Sequence, residues 1–306
     1  MVRLFSFSFS AMATDCAIHL YGDDEIAVEA AADAAIAEVM RIEQRYSRYL
    51  PDSIITEINA ASCCGASIAV DEETAGLIDY AYACHGCSGG LFDITSGLLR
   101  KAWDFKSGRL PEAGAIDDLL PRIGLTKLIW ERPRLSFPIA GMEIDFGGIG
   151  KEYAADQAAA ACAALGVRHG LIELGGDIAV IGPHPDLAPW AIGIRHPRDA
   201  EASIVSVPIE HGALASSGDY ERFMEIDGLR YCHILNPATG WPCRDLTAVS
   251  VIADRCLAAG TVTTIAMLKG RAGIPWLSSL GFKHFFVDKN GRCGGDLAGV
   301  RFRPKY

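Results

Sequence analysis

Between residues 171 and 252, short runs of apolar and β-branched residues alternate with turns rich in Gly, Pro, Asp and Asn. Eight such runs are long enough for strands but too short for helices. Helical patterns lie mainly before and after this series instead of alternating with each strand, which argues against a doubly wound parallel sheet. The predicted strands of the series are 171–173, 178–181, 190–194, 204–208, 212–216, 221–225, 230–234 and 248–252.

Ala-rich segments with apolar residues at helical spacing predict the flanking helices. Asp71 is typical of a helix start and Gly166 of a helix end. Together, the segments predict an α+β fold of mixed sheets with flanking helices. We expect a single domain over residues 1–306, with a subdomain boundary near residue 140. Helices are predicted at 25–46, 71–83, 111–123, 151–165, 257–268 and 274–280, and further strands at 15–21, 127–130, 142–146 and 285–287.

Composition excludes several functional classes. The chain has 306 residues, of which 50% are hydrophobic, enough for a large core, and a formal net charge of −10. An acidic surface disfavours nucleic acid and anionic lipid as partners. No apolar run approaches the ~20 residues that a membrane span needs. Residues 1–13 are too polar for a convincing signal peptide and contain no Cys for a lipoprotein anchor. The ten Cys of the chain fit reduced thiols better than a set of disulfides. We therefore expect a cytoplasmic protein, with a periplasmic location as the alternative.

The segment 144–151 (Ile-Asp-Phe-Gly-Gly-Ile-Gly-Lys) has the pattern of a strand that ends in a glycine-rich turn and opens a helix. Glycines permit close approach of the backbone to a ligand, and a helix N-terminus offers N–H groups and partial positive charge. Lys151 adds a full charge, so the segment suits a pyrophosphate or a metal–phosphate pair. It matches neither the dinucleotide-binding G-x-G-x-x-G pattern nor a P-loop, and a plain strand–helix turn is the alternative interpretation.

Three other glycine-bearing segments, 88–95, 174–177 and 233–242, carry polar residues that chemistry could use. Asp93 and Asp177 could bind a ligand or could stabilise turns and caps. His233 could take part in proton transfer or could be a structural hydrogen-bonding residue.

Two patterns admit more than one interpretation. Cys84 and Cys87 have the spacing of a dithiol or half a zinc site, but the sequence has no second C-x-x-C pair. Tyr49, Trp103 and Phe105 are aromatic residues near polar loops, which could stack on a planar ring or belong to the core. The core is the favoured interpretation.

Taken in order, these segments resemble the ApbE family of FAD:protein FMN transferases. No single segment is specific, but the ordered set spans most of the chain. The matching positions are 12–14, 47–53, 58–59, 90–97, 103–105, 144–151, 156, 174–177, 216–220, 233–242 and 264.

The resemblance implies that the chain binds FAD and Mg²⁺ between a larger and a smaller subdomain. It implies cleavage of the FAD pyrophosphate, transfer of FMN to a Ser or Thr hydroxyl of an acceptor protein, and release of AMP. It also implies metal contacts from the Gly148 carbonyl and the Thr264 hydroxyl, and a catalytic role for His233. Neither the acceptor nor the formation of a homodimer is encoded in these motifs. The FAD site that the resemblance implies is lined by Met12, Tyr49, Leu91, Phe92, Asp93, Asp145, Lys151 and Leu235.

The chain departs from the family pattern at two positions. Gly260 stands where the family has a metal-binding Asp, four residues before Thr264, and Asp254 would lie off that helix face. Glu152 replaces the Gly of the usual Lys-Gly-Tyr, which adds negative charge near the phosphates. These departures keep two alternatives open: an FAD-binding protein without transferase activity, and a metal-dependent FAD pyrophosphatase. We expect Gly260→Asp to tighten Mg²⁺ binding.

Overall fold

A computed structural model describes residues 1–302 and has the expected α+β architecture. The six helices of the described residues are α1 (Glu25–Tyr46), α2 (Ile54–Cys63), α3 (Glu72–Ser88), α4 (Gly150–Ala164), α5 (Cys256–Lys269) and α6 (Gly273–Leu280). The strands are β1 (Arg3–Ala11), β2 (Thr14–Gly22), β3 (Ser67–Ala69), β4 (Ile129–Glu131), β5 (Arg134–Ser136), β6 (Gly170–Leu174), β7 (Asp177–Gly182), β8 (Trp190–His196), β9 (Asp199–Ile209), β10 (Gly212–Gly218), β11 (Phe223–Ile226), β12 (Leu229–Cys232), β13 (Leu246–Ala253), β14 (His284–Asp288) and β15 (Cys293–Gly294).

The centre of the fold is an eight-stranded sheet in the order β1-β2-β6-β7-β10-β13-β14-β15, in which all neighbours are antiparallel. Helices α1, α4 and α5 pack on one face of this sheet. The β8–β9 hairpin covers the other face. Successive residues of a strand point to opposite faces, so Ile172 and Leu174 lie in the helix-side core and Leu171 lies beneath the hairpin.

Two small sheets complete the fold, one in the order β3-β5-β4 and the other formed by β11 and β12. A separate cluster of buried residues joins Leu99 and Trp103 to Met224 and Tyr231 of the β11–β12 hairpin. Apolar contacts therefore cross the position near 140, where we expect a subdomain boundary.

Most predicted elements are confirmed, but the helix at 111–123 is wrong. That segment forms turns and one short 3₁₀ helix, Leu120–Arg122. Gly114 adopts a positive φ of 83°, and Pro121 removes a backbone donor, so a continuous α-helix cannot form there.

The segment 142–146 is also not a strand. Asn59 replaces a strand neighbour: its side-chain oxygen accepts from the Ile144 N–H at 2.8 Å and its amide donates to the Ile144 carbonyl at 3.0 Å. Conversely, β1 is not among the strands predicted from the sequence. Its Phe/Ser alternation lies in residues 1–13, which are assessed there only as a signal peptide. Among residues 1–302, no helix combines the length and the apolar character needed to cross a bilayer.

Candidate functional site

The glycine-rich segment 144–151 forms the turn that opens α4, as the sequence predicts. Ile149 is the N-cap residue and provides no side-chain cap, and the Gly150 N–H donates to the Phe146 carbonyl at 2.7 Å. The next two N–H groups, of Lys151 and Glu152, are therefore the ones that a ligand at this end could use. Gly147 and Gly148 are exposed here. A Cβ atom at Gly148 would lie 3.6 Å from the ring of Phe92, so the turn packs against that ring.

Lys151 joins this helix end to the turn between β6 and β7. Its Nζ donates to the Leu174 carbonyl at 3.1 Å and forms an ion pair with the carboxylate of Asp177. Asp177 is buried, and its second oxygen accepts from the Ser216 N–H at 3.1 Å. Burial by itself would lower the pKa of Lys151, but Asp177 and Glu152 together raise it above its ordinary value. Lys151 is therefore a fixed positive charge.

Asp145 connects two of the glycine-bearing segments. It pairs with Arg48, and its backbone N–H donates to the Ile94 carbonyl at 2.8 Å. Arg48 in turn donates to the Gly97 carbonyl at 2.9 Å. A Cβ atom at Gly97 would lie 2.3 Å from the Arg48 guanidinium and 2.6 Å from Cβ of Asp145, so only glycine fits there. The second Asp145 oxygen accepts from the Gly147 N–H at 2.9 Å.

Leu91, Phe92 and Asp93 follow the end of α3, with Leu91 half-buried and the other two buried. Both oxygens of Asp93 accept from groups of the chain itself. One accepts from the N–H and the hydroxyl of Thr95 at 2.7 and 2.6 Å, and the other from the Leu125 N–H at 2.8 Å. Asp93 thus shapes the loop that holds Phe92 against the α4 turn.

The residues predicted to contact metal on α5 lie in a cluster of hydroxyl groups. The Thr264 Oγ1 atom lies 3.2 Å from Ser217 Oγ, which is 2.8 Å from Thr263 Oγ1. Thr263 also donates to the Gly260 carbonyl at 2.8 Å. Gly260 is buried, and its Cα atom faces the side chain of Glu152 on α4. The two departures from the family pattern are therefore in contact.

Asp156 fixes α5 against α4. Its two carboxylate oxygens accept from the N–H groups of Cys256 and Leu257 at 2.8 and 3.0 Å, which caps α5 from the neighbouring helix. Asp254 is exposed and precedes α5, which agrees with the expectation that it is not on the helix face of Thr264.

His233 follows β12 and is anchored to one carbonyl. Its backbone N–H donates to the Arg222 carbonyl at 2.9 Å, and its Nδ1 lies 3.2 Å from the same oxygen. A carbonyl only accepts, so Nδ1 carries the proton and neutral His233 presents Nε2 as the basic atom. Partial removal from water lowers the pKa of His233. Leu235 pairs with Pro242 across the same loop and packs on the apolar cluster around Leu99.

Met12 and Ala13 form the two-residue turn of the β1–β2 hairpin, with positive φ values of 54° and 58°. Non-glycine residues with positive φ are uncommon and often occur at functional positions. The Met12 N–H donates to a Glu43 carboxylate oxygen at 2.7 Å. Both turn residues line a shallow depression of about 490 Å³. A second depression of about 530 Å³, lined by Val207 and Leu297 among others, contains none of the predicted site residues.

The aromatic residues singled out in the sequence differ in their burial. Trp103 is buried, donates from Nε1 to the Gly240 carbonyl at 2.8 Å, and stacks on Phe105 with centroids 5.7 Å apart. Trp103 therefore belongs to the core, which is the interpretation that the sequence favours. For Tyr49 the core interpretation is wrong, because it is 78% exposed.

Within the part of the chain that the structure describes, the C-x-x-C pair gains no further metal-binding side chain. Cys84 and Cys87 lie in the last turns of α3, and Cys87 Sγ donates to the Cys84 carbonyl at 3.3 Å. Burial raises the pKa of Cys84 to about 11, which suppresses thiolate formation. Within residues 1–302, no group of three or more His, Cys, Asp or Glu side chains is arranged to hold a metal ion.

The predicted site residues thus fall into two groups. Phe92, Asp145, Gly148 and Lys151 surround the start of α4, with Gly260 and Thr264 on the adjacent α5. Four more lie on loops: Met12 at the hairpin turn, Tyr49 after α1, and His233 with Leu235 after β12. Sequence reasoning did not identify Arg48 as the partner of Asp145, although Arg48 lies in the 47–53 segment that carries the resemblance.

Comparisons with known proteins agree on the family. The ApbE family pattern matches residues 12–286. An FAD:protein FMN transferase from Klebsiella pneumoniae is 31% identical over 276 residues, covering 86% of this chain and 82% of that protein. One from Vibrio cholerae is 30% identical over 236 residues, covering 75% and 70%.

Solved structures give the same result. The ApbE protein of Thermotoga maritima has 29% sequence identity and a TM-score of 0.87, with 96% of this chain and 97% of that one covered. The apo form of the Pseudomonas stutzeri flavinyl transferase ApbE has 27% identity and a TM-score of 0.86, with 98% of both chains covered. With most of its sequence and nearly all of its fold matched, this chain belongs to the ApbE family and is a flavin transferase homologue.

Proposed function

We propose that this protein transfers FMN from FAD to a Ser or Thr hydroxyl of an acceptor protein, with Mg²⁺ bound and AMP released. The observation that carries the proposal is the start of α4. A helix N-terminus without a side-chain cap, two exposed glycines and the ammonium group of Lys151 meet there. In a chain with a net charge of −10, this is a local site for an anionic diphosphate.

The reaction requires a hydroxyl nucleophile in line with the bond that breaks. The acceptor oxygen attacks the phosphorus on the riboflavin side of FAD, the bond to the bridging oxygen breaks, and AMP leaves with that oxygen. His233 Nε2 accepts the hydroxyl proton or orients the hydroxyl, since Nδ1 is held by the Arg222 carbonyl. The α4 N–H groups and Lys151 stabilise the negative charge on the phosphoryl oxygens.

The chain also offers ligands that suit Mg²⁺. This ion prefers hard oxygen ligands and shares its coordination with phosphates and water, so it does not need a full protein cage. The Thr264 hydroxyl and the carbonyl of exposed Gly148 would supply such oxygen atoms. Mg²⁺ bound there would neutralise charge on the pyrophosphate and so favour its cleavage.

We further propose that the flavin and adenine ends of FAD are held by the remaining predicted residues. Exposed Tyr49 offers an aromatic face, and Met12 lies in a strained turn above a depression. Leu91, Phe92 and Leu235 supply apolar surface, and Asp145 is held in place by Arg48.

A flavin transfer assay tests the proposal. Purified protein is incubated with FAD, MgCl₂ and a candidate acceptor, next to the same acceptor with its target Thr replaced by Val. In-gel flavin fluorescence after denaturation on the Thr acceptor alone is the expected result, with AMP released in equal amount. Free FMN and AMP without labelled acceptor would instead indicate a pyrophosphatase. Unchanged FAD that remains bound would indicate a flavin-binding protein without transfer.

A further inference from the structure

Glu152 is a buried acid with an unsatisfied oxygen. It is the third residue of α4, only 9% of its surface is exposed, and its Oε2 atom has no hydrogen-bond partner within residues 1–302. In that part of the chain, the only other buried side-chain atom without a partner is the hydroxyl oxygen of Ser62. An unpaired carboxylate oxygen is far more costly to bury than a hydroxyl. The position therefore calls for a ligand or a proton.

Gly260 provides the space that Glu152 occupies. A Cβ atom at position 260 would lie 2.4 Å from Glu152 Cγ and 2.8 Å from its Oε1. Gly260 lies inside α5 without a positive φ, so the backbone does not require glycine there. Glycine costs about 1 kcal/mol relative to Ala in a helix interior. Its presence is explained by the carboxylate that reaches into this volume from α4.

The charges around Glu152 do not balance. Glu152 and Asp177 are both buried, and both act on one cation, Lys151, which is already paired with Asp177. With both acids ionised, one negative charge is left over. The hydroxyl groups of Thr264 and Ser217 lie on the adjoining elements α5 and β10, and Thr264 is one helical turn after Gly260. A second cation would balance the charge and find oxygen ligands at hand.

We propose that Glu152 supplies the carboxylate ligand of the divalent cation in this protein, from α4, in place of a ligand at position 260 of α5. The two departures from the family pattern then form one exchange, in which the acid moves to the facing helix and a glycine makes room for it. This inference rests on the proposed metal-dependent function.

The same contact corrects the expectation for Gly260→Asp. The aspartate would enter volume that Glu152 already fills, and it would add a third buried acid next to Asp177. The single variant is therefore expected to lower the unfolding temperature instead of tightening Mg²⁺ binding. Only with Glu152→Gly does position 260 have room for an acid.

Mn²⁺ binding in the presence of FAD, followed by electron paramagnetic resonance, tests the inference without reference to transfer. Glu152→Gln is expected to weaken Mn²⁺ binding at least about tenfold, with an unchanged or higher unfolding temperature without metal, since a buried charge is removed. Glu152→Gly should weaken it as well, and the double variant Glu152→Gly/Gly260→Asp should restore it to within about threefold. Glu210→Gln, at an exposed position by the 530 Å³ depression, is the matched control.

The inference would be overturned if Glu152→Gln bound Mn²⁺ with wild-type affinity, or if a folded double variant did not recover Mn²⁺ binding. Glu152 would then have a structural role as a protonated partner of Asp177. Absence of Mn²⁺ binding in the wild type would overturn it as well. If Mn²⁺ binding depends on Glu152 but no acceptor is labelled, the ligand assignment holds and the proposed transfer reaction fails.

Discussion

Single residues of the candidate site are held in defined states before any ligand binds. Lys151 is fixed by Asp177 and the Leu174 carbonyl, and Asp145 by Arg48. His233 has one tautomer because the Arg222 carbonyl accepts a hydrogen bond from Nδ1–H. Preorganised charges of this kind stabilise a transition state without having to reorient.

His233 gives a prediction at this scale. Replacement by Gln should lower the rate of flavin transfer roughly 10²-fold or more, with little change in FAD affinity, because only proton transfer is lost. Single-turnover rates and FAD binding, measured together, check this. His211→Gln, at an exposed position next to the 530 Å³ depression, is the control. Equal rates for His233→Gln and wild type would contradict the role.

The pH dependence of transfer follows from the same residue. Its pKa in the folded protein lies below the ordinary 6.5, and only the neutral imidazole accepts a proton. Activity should therefore persist at pH 6.5 and decline as the pH falls through the lowered pKa. The acid limb should be absent from the residual activity of His233→Gln. An acid limb above pH 6.5, or one unchanged in the variant, would contradict the assignment.

At the scale of elements, α1, α3 and α4 are tied together by Glu73. This α3 residue accepts from Arg41 of α1 at 2.6 Å and from the Tyr153 hydroxyl of α4 at 2.9 Å. The hydrogen bonds from Arg41 lower the pKa of Glu73 below its ordinary 4.5. The carboxylate thus favours the folded state at neutral pH and links α4 to α1 and α3.

A lowered carboxyl pKa makes this contribution pH-dependent. The stabilisation is complete above pH 4.5 and is lost as the pH falls through the lower pKa of the folded state. Glu73→Gln should reduce the free energy of unfolding by about 0.5–1 kcal/mol at pH 7, and by less at low pH. Urea unfolding at several pH values measures this, with exposed Glu29→Gln as control. A pH-independent loss would contradict the ion-pair explanation.

The sequence predicts elements well where local pattern decides them. The N-cap Asp71, which accepts from the Thr74 N–H at 2.9 Å, and the helix at 25–46 are confirmed. It fails where local pattern conflicts with neighbours or turn residues. The segment 111–123 has helical spacing but contains Gly114 with positive φ, and the strand β1 is stabilised by pairing with β2.

At the scale of the whole molecule, the eight-stranded sheet is the support on which the helices of the site are arranged. Strand β10 brings Ser217 next to Thr264, and the β6–β7 turn brings Asp177 to Lys151. Family resemblance predicts which segments meet, but spacing along the chain does not predict that Glu152 faces Gly260. That contact depends on how α4 packs against α5, which no local pattern in either helix encodes.

The affinity of the purified protein for FAD, with and without Mg²⁺, tests the central claim most directly. Flavin fluorescence titration should show saturable binding, and Lys151→Met should weaken it at least about tenfold, because a charge-assisted contact to the diphosphate is lost. Lys283→Met, at an exposed position beside the 530 Å³ depression, should bind as wild type. No affinity for FAD under either condition, or equal affinity in folded Lys151→Met, would contradict a diphosphate site at the start of α4.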